Sequence, residues 1–206
     1  MSTDQLEQRF SRLAGHPVLD LMNTVDWRLD PARRGERLHD MDDVLDWCLV
    51  MDLVDTDERA TLAAEAAAHP RLAGREREAV VAWRELAYDA AVTRSSSAVR
   101  RVVQSYREVL SRADLRPTDS QGEWAWEDAR LDLTTPRDRL VRRTLELLSD
   151  PALRRLHQCE DAACGWVYLD TSPRHNRRWC SAADCGNRNR ARRFYERRHT
   201  TDEKDG

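Results

Sequence analysis

Four cysteines carry the most specific chemistry in this chain of 206 residues. They form two pairs, Cys159-x4-Cys164 and Cys180-x4-Cys185, separated by fifteen residues. Zinc prefers thiolate or imidazole ligands in a tetrahedron. Two short loops that each present a pair of thiolates complete such a shell. The spacing therefore predicts one Zn2+ ion. Four cysteines leave no open position for a reactive water, so the metal is expected to be structural. A disulfide framework fits small secreted chains better. The neighbouring His157 and His175 read as surface residues. The fifth cysteine, Cys48, lies on an apolar helical face and is expected in the core.

Arginines crowd the same region. Thr171 to His199 holds nine arginines against two acids, Asp184 and Glu196, while the rest of the chain is acidic and the formal net charge is -3. A basic end on an acidic body suggests that only the end meets an anionic partner. Arg177, Arg178 and Arg188 are expected to offset the surplus charge of four thiolates. Beyond Gly186 the chain reads as a helix. Ala191, Phe194 and Tyr195 share one face, expected to pack on the metal module, and Arg188, Arg192, Arg193 and Arg197 spread over the opposite half, with Arg190 at its margin and Glu196 interrupting it. Such a helix can dock against phosphates and reach guanine edges of double-stranded DNA. Arg177, Arg188, Arg190, Arg192, Arg193 and Arg197 are the candidate DNA-binding residues. A solvated surface face is the plainer alternative.

The elements that must hold this region follow from local pattern. GWVYLD, Gly165 to Asp170, reads as a strand, with RRWC, Arg177 to Cys180, as its partner and SPRHN as the turn. The order pair, ribbon, pair, helix is that of a zinc ribbon or treble clef. Upstream the chain is helical. Residues 1–14 read as a polar lead-in, and Pro17 suits a helix start. Helices are expected from Asp42 or Asp43, over Asp57 to Ala68, Arg75 to Thr93 and Ala98 to Arg112, and from Pro136. Ala113 to Gln121 reads as a loop and Glu123 to Leu133 as one or two short strands. SDPALRRLHQC starts a short helix capped by Ser149 or Asp150. TTDEKDG, residues 200–206, is expected to be disordered. The fold class is mainly α: a helical domain with a short β element over residues 1–150, then a small zinc module ending in a helix over 151–206.

CEDAACGWVYLDTS followed by RRWCSAADCGNRNRARRFYERR resembles the CGNR zinc-finger family, named for the tetrapeptide found here at Cys185 to Arg188. GHPVLDLMNTVD resembles the opening of the ABATE domain, commonly paired with that finger. The resemblance spans roughly Gly15 to His199. It implies a bacterial transcription regulator in which Cys159, Cys164, Cys180 and Cys185 bind zinc and the finger binds DNA. The family commonly has a lysine near Asn189, which this chain lacks.

A regulator needs an input. Asn23, Trp27 and Arg84 are the candidate ligand-binding residues for a small anionic or hydroxylated effector, with Asp26 beside them. The alternative is a buried hydrogen-bond network in which Asn23 and Asp20 cap a helix and Arg84 pairs with an acid. The chain carries no HExxH, no glycine-rich phosphate loop and no GxSxG, so catalysis is not expected. No apolar run approaches the ~20 residues of a membrane span, and the start has no signal core. A cytoplasmic protein without a membrane partner is expected. A homodimer on a palindromic site is a candidate state, and a zinc-ribbon adaptor without sequence-specific DNA binding is the competing function.

Overall fold

The computed structural model describes residues 3–118 and 122–202. Its order is α1 (Thr3–Arg9), α2 (Pro17–Met22), β1 (Val25–Asp26), β2 (Gly35–Glu36), α3 (Met41–Val50), α4 (Thr56–Ala68), α5 (Pro70–Ala91), α6 (Ser96–Leu110), β3 (Ala113–Pro117), β4 (Trp124–Asp128), α7 (Thr135–Ser149), β5 (Leu156–Gln158), β6 (Val167–Leu169) and α8 (Asn187–Asp202). The fold is mainly α, with three two-stranded antiparallel pairs among the described residues. No helix is long and apolar enough to cross a membrane among those residues.

Caps set the helix starts. Asp40, rather than Asp42 or Asp43, caps α3 by accepting the Asp43 N–H. Asp55 and Glu58 form a reciprocal capping box on α4. The long α5 begins at Pro70, five residues before the expected start, because proline is suited to a first helical position. The supposed polar lead-in contains α1, whose Leu6, with Phe10 just beyond, is buried against the main core. Contacts radiate from α5 to α2, α3, α4, α6 and α7. Val44, Leu45, Trp47, Leu62, Val80, Val102 and Leu140 fill the first core, and Cys48 lies there as expected. Trp83 satisfies its indole N–H on the Thr144 hydroxyl at 3.0 Å.

The segment read as a loop after α6 is instead the first strand of a hairpin. Leu115 faces Trp126 and Pro117 faces Trp124 across β3 and β4. Cross-strand apolar pairs of this kind stabilise a sheet that short-range pattern alone understates. Residues 119–121, part of the expected loop, lie outside the described residues.

A second core joins the helical body to the cysteine region. Val18, Leu19 and Met22 of α2, Ala87 and Ala91 of α5 and Leu147 of α7 pack with Val167, Tyr168, Leu169 and all four paired cysteines. Asp20 sits at this junction and accepts the N–H groups of Leu13 and Ala14, both at 3.0 Å. Burial raises its carboxyl to about 7, against the lowering effect of those N–H groups and of Arg12 and Arg177. The folded state therefore binds a proton that the unfolded chain has released between pH ~4 and 7, so stability falls as pH rises through that window. Asp20→Asn keeps an acceptor oxygen and removes the titration. Its urea-unfolding free energy is expected to lose that downward slope; an unchanged slope would place the titration elsewhere.

Candidate metal centre

The first cysteine pair brackets the turn between β5 and β6. Asp150 caps a short 3-10 turn, Pro151–Arg155, and the chain then extends as β5. This corrects the expected ribbon: β6 pairs with β5, in register Leu156↔Leu169 and Gln158↔Val167, and not with RRWC. Leu156 to Gln158 becomes a strand because the capped turn before it ends after five residues. RRWC is anchored instead by the Glu160 N–H on the Arg178 carbonyl at 3.0 Å. The second pair frames a π-helical turn, Ala182–Gly186, that runs into α8.

The four sulfurs converge. Cys164 and Cys180 Sγ are 3.7 Å apart, Cys180 and Cys185 Sγ 3.4 Å, and all four lie within 4.8 Å of one another. Tetrahedral zinc with Zn–S bonds near 2.3 Å needs sulfur separations of about 3.8 Å. A disulfide needs about 2.05 Å, and all five cysteines are free. The donor set and its spacing fit one zinc ion. The thiols also conflict without a cation. Hydrogen bonds from Cys164 and Cys180 hold the Cys159 thiol far below its ordinary range, whereas those two thiols are pushed up by their hydrogen bonds with Cys159. Four thiolates can coexist only around a positive charge.

The surroundings are shaped for the cluster. Gly165 follows Cys164 with φ +73, and a Cβ there would lie 2.8 Å from Arg28 Cβ, so the position requires glycine. Arg188 donates to Cys185 Sγ at 2.8 Å, reaches Asp161 at 3.5 Å and stacks over the Trp27 ring at 4.5 Å. Asn189 is buried and donates to Asp161 Oδ2 at 3.2 Å and the Cys185 carbonyl at 2.9 Å. The first turn of α8 is thus tied to both cysteine loops.

The remaining arginines divide. Arg177 lies 4.0 Å over Tyr168 and donates to the carbonyls of Leu13, Trp179 and Cys180, which makes it a clamp between body and finger. Arg178 reaches Glu160 rather than a sulfur. Arg190 and Arg192 bond Asn187 and Asn189 within α8. Arg190, Arg192, Arg193 and Arg197 are all exposed. The expected apolar packing face of α8 does not form: Ala191, Phe194 and Tyr195 are exposed. The helix is seated through Asn189 and Arg188 at its start. It also continues to Asp202, through residues 200–202 of the tail expected to be disordered; residues 203–206 lie outside the described residues.

The three candidate ligand residues are not brought to one site. Asn23 exchanges two hydrogen bonds with the Val167 backbone, at 2.8 and 2.9 Å, and so docks β6 on the body. Arg84 is buried and pairs with both oxygens of Glu36, at 2.8 and 2.7 Å, and with Glu85 and Thr24. Trp27, with φ +50, lies between Arg33 and Arg188 on the wall of a cavity of about 280 Å³ beside the cysteines. Sequence reasoning missed Asp161, Gly165, Trp166 and Asn189. Trp166 donates to the Val25 carbonyl at 3.0 Å. Asn189 carried a signal: a polar residue on the side of the helix facing the cluster.

Residues 15–151 match the ABATE family, described as "Putative stress-induced transcription regulator". Residues 155–198 match the zf-CGNR family, described as "CGNR zinc finger". Comparison with curated proteins gave no match.

Proposed function

The chain belongs to the ABATE family and carries a CGNR zinc finger, and from that premise we propose that it is a zinc-dependent regulator that binds double-stranded DNA through α8. Cys159, Cys164, Cys180 and Cys185 hold one structural zinc. The observation that carries the reading is the mounting of α8. Its first turn is bound to the cysteine loops through Arg188 and Asn189, while Arg190, Arg192, Arg193 and Arg197 lie on its exposed length. A helix fixed at its root presents guanidinium groups at defined spacing, which favours phosphate contact and groove entry. Arg188 anchors the first turn of that helix on Cys185, and Arg177 clamps the finger to the body through Leu13 and Cys180.

Charge reversal at Arg193 and Arg197 tests the assignment. Arg193→Glu with Arg197→Glu should leave zinc content unchanged and weaken DNA binding by at least about tenfold. The slope of log affinity against log salt should shrink by about 0.9 for each lost phosphate contact. Unchanged affinity and slope would move the DNA surface away from α8.

The exposed Phe194 and Tyr195, a T-shaped pair with ring centroids 6.0 Å apart, favour a second reading. They suit a protein partner, as in a zinc-ribbon adaptor. In that case the Phe194→Ala variant loses partner binding, and DNA affinity shows no preference over random sequence.

A further inference from the structure

Strand β4 and helix α7 form an open cleft of about 530 Å³, lined by Leu53, Trp124, Trp126, Arg139, Arg142 and Arg143 and by two carboxylates, Asp52, which pairs with Arg12, and Glu146, which pairs with Arg143. Its size falls within the range of small-molecule sites, roughly 300–1,000 Å³. The walls differ in chemistry. Trp124 and Trp126 lie on the same face of the hairpin, opposite Pro117 and Leu115. Trp124 remains 65% exposed, more than any other large hydrophobic side chain among the described residues. Helix α7 supplies the guanidinium groups.

Those groups are unequally satisfied. Arg139 donates to Glu58, Asp128 and the Leu53 carbonyl, all at 2.6–2.7 Å. Arg143 forms a surface pair with Glu146, of the kind worth ~0–1 kcal/mol and readily exchanged. Arg142 is only 5% exposed, gives one amino group to Asp128 at 2.7 Å and lies 5.9 Å from the Trp126 ring. Its other amino nitrogen, Nη1, is buried without a hydrogen-bond partner among the described residues. A buried unsatisfied donor is rare and destabilising, and a charged one more so.

We propose that this cleft binds a planar aromatic carboxylate. The ring stacks against Trp124, and the carboxylate accepts from Arg143 after its exchange with Glu146 and from Arg142 Nη1, which becomes reachable when the Trp126 ring beside it swings aside. Neither a neutral ring nor a small inorganic anion satisfies both walls. The site shares no residue with the cysteine cluster, α8 or the trio Asn23, Trp27 and Arg84. It therefore stands or falls apart from the DNA-binding reading.

Calorimetric titration of the full zinc-loaded chain with naphthalene carboxylate tests the site, with naphthalene carboxamide and acetate as controls. The carboxylate should bind one to one, at least about tenfold tighter than either control, a gap equivalent to ~1.4 kcal/mol. Trp124→Leu alters an exposed ring and should leave the fold intact while weakening the carboxylate about tenfold or more. Arg142→Gln should remove the preference for carboxylate over carboxamide. Since Arg142 also pairs with Asp128, Arg143→Gln is the second variant; it should reduce that preference several-fold without unfolding. No saturable binding, equal binding of carboxylate and carboxamide, or full binding by Trp124→Leu would overturn the proposal.

Discussion

The Cys180→Ser protein is expected to purify without zinc and to melt at a markedly lower temperature than the parent chain. Cys180 Sγ lies 3.7 and 3.4 Å from Cys164 and Cys185, so its loss opens the shell at its centre. Structural zinc contributes on the order of 10–16 kcal/mol at neutral pH, comparable to the whole stability of a domain, ~5–15 kcal/mol. The finger should unfold. The damage should also reach the body, because β6 and the cysteines share a core with α2, α5 and α7. Releasing them exposes Val18, Leu19, Ala87 and Leu147 and strands the amide of Asn23. The first core has no finger residue, so most of α3 to α6 should remain helical at low temperature. Metal analysis with a circular-dichroism melt reads both effects. Stoichiometric zinc and an unchanged melt would contradict them.

Arg84→Met is expected to destabilise the body by about 1–3 kcal/mol at pH 7, because it strands the half-buried carboxylate of Glu36 while Glu85 keeps Arg28. Arg84 is 2% exposed and holds Glu36 and Glu85 together with the Thr24 hydroxyl. Burial pushes both carboxyls up, yet hydrogen bonds and charge from Arg84 and Arg28 leave each below its ordinary value. The sign of the pH effect follows. Depressed carboxyls contribute stability above their unfolded pKa, about 4.3, and lose it as pH falls through the folded value. The penalty of Arg84→Met should therefore be largest near neutrality and shrink in acid, as Glu36 and Glu85 take up protons. Urea unfolding at several pH values checks this. A cost below about 1 kcal/mol at pH 7 would mean that water replaces the guanidinium.

The metal site was legible because its signal is chemical and local. Four thiols in two pairs with matched spacing have few other uses in a chain of this composition. The helices were legible from caps and apolar periodicity, and the errors fall where two signals compete. Asp40, Asp42 and Asp43 can all cap α3, and only the structure shows which oxygen meets the free N–H. Pro70 marks both the end of α4 and the start of α5. The ribbon was misassigned because β6 suits two partners in sequence, and LHQ, three residues long, has little strand character of its own. The arginines were hardest to sort. Composition marks Arg177 and Arg188 as basic, but Arg177 donates to the Leu13 carbonyl, 164 residues away, and Arg188 stacks over Trp27, equally remote in the chain. Asn23 shows the same limit: its partner, Val167, is 144 residues away.

One measurement bears most directly on the account: native mass spectrometry of the purified full-length chain beside its Cys180→Ser variant. The expected spectrum shows a folded charge distribution carrying one zinc per chain, with the ion absent from the variant. A folded parent chain with no metal, or with two of these cysteines joined as a disulfide, would contradict the zinc centre and the mounting of α8 that depends on it.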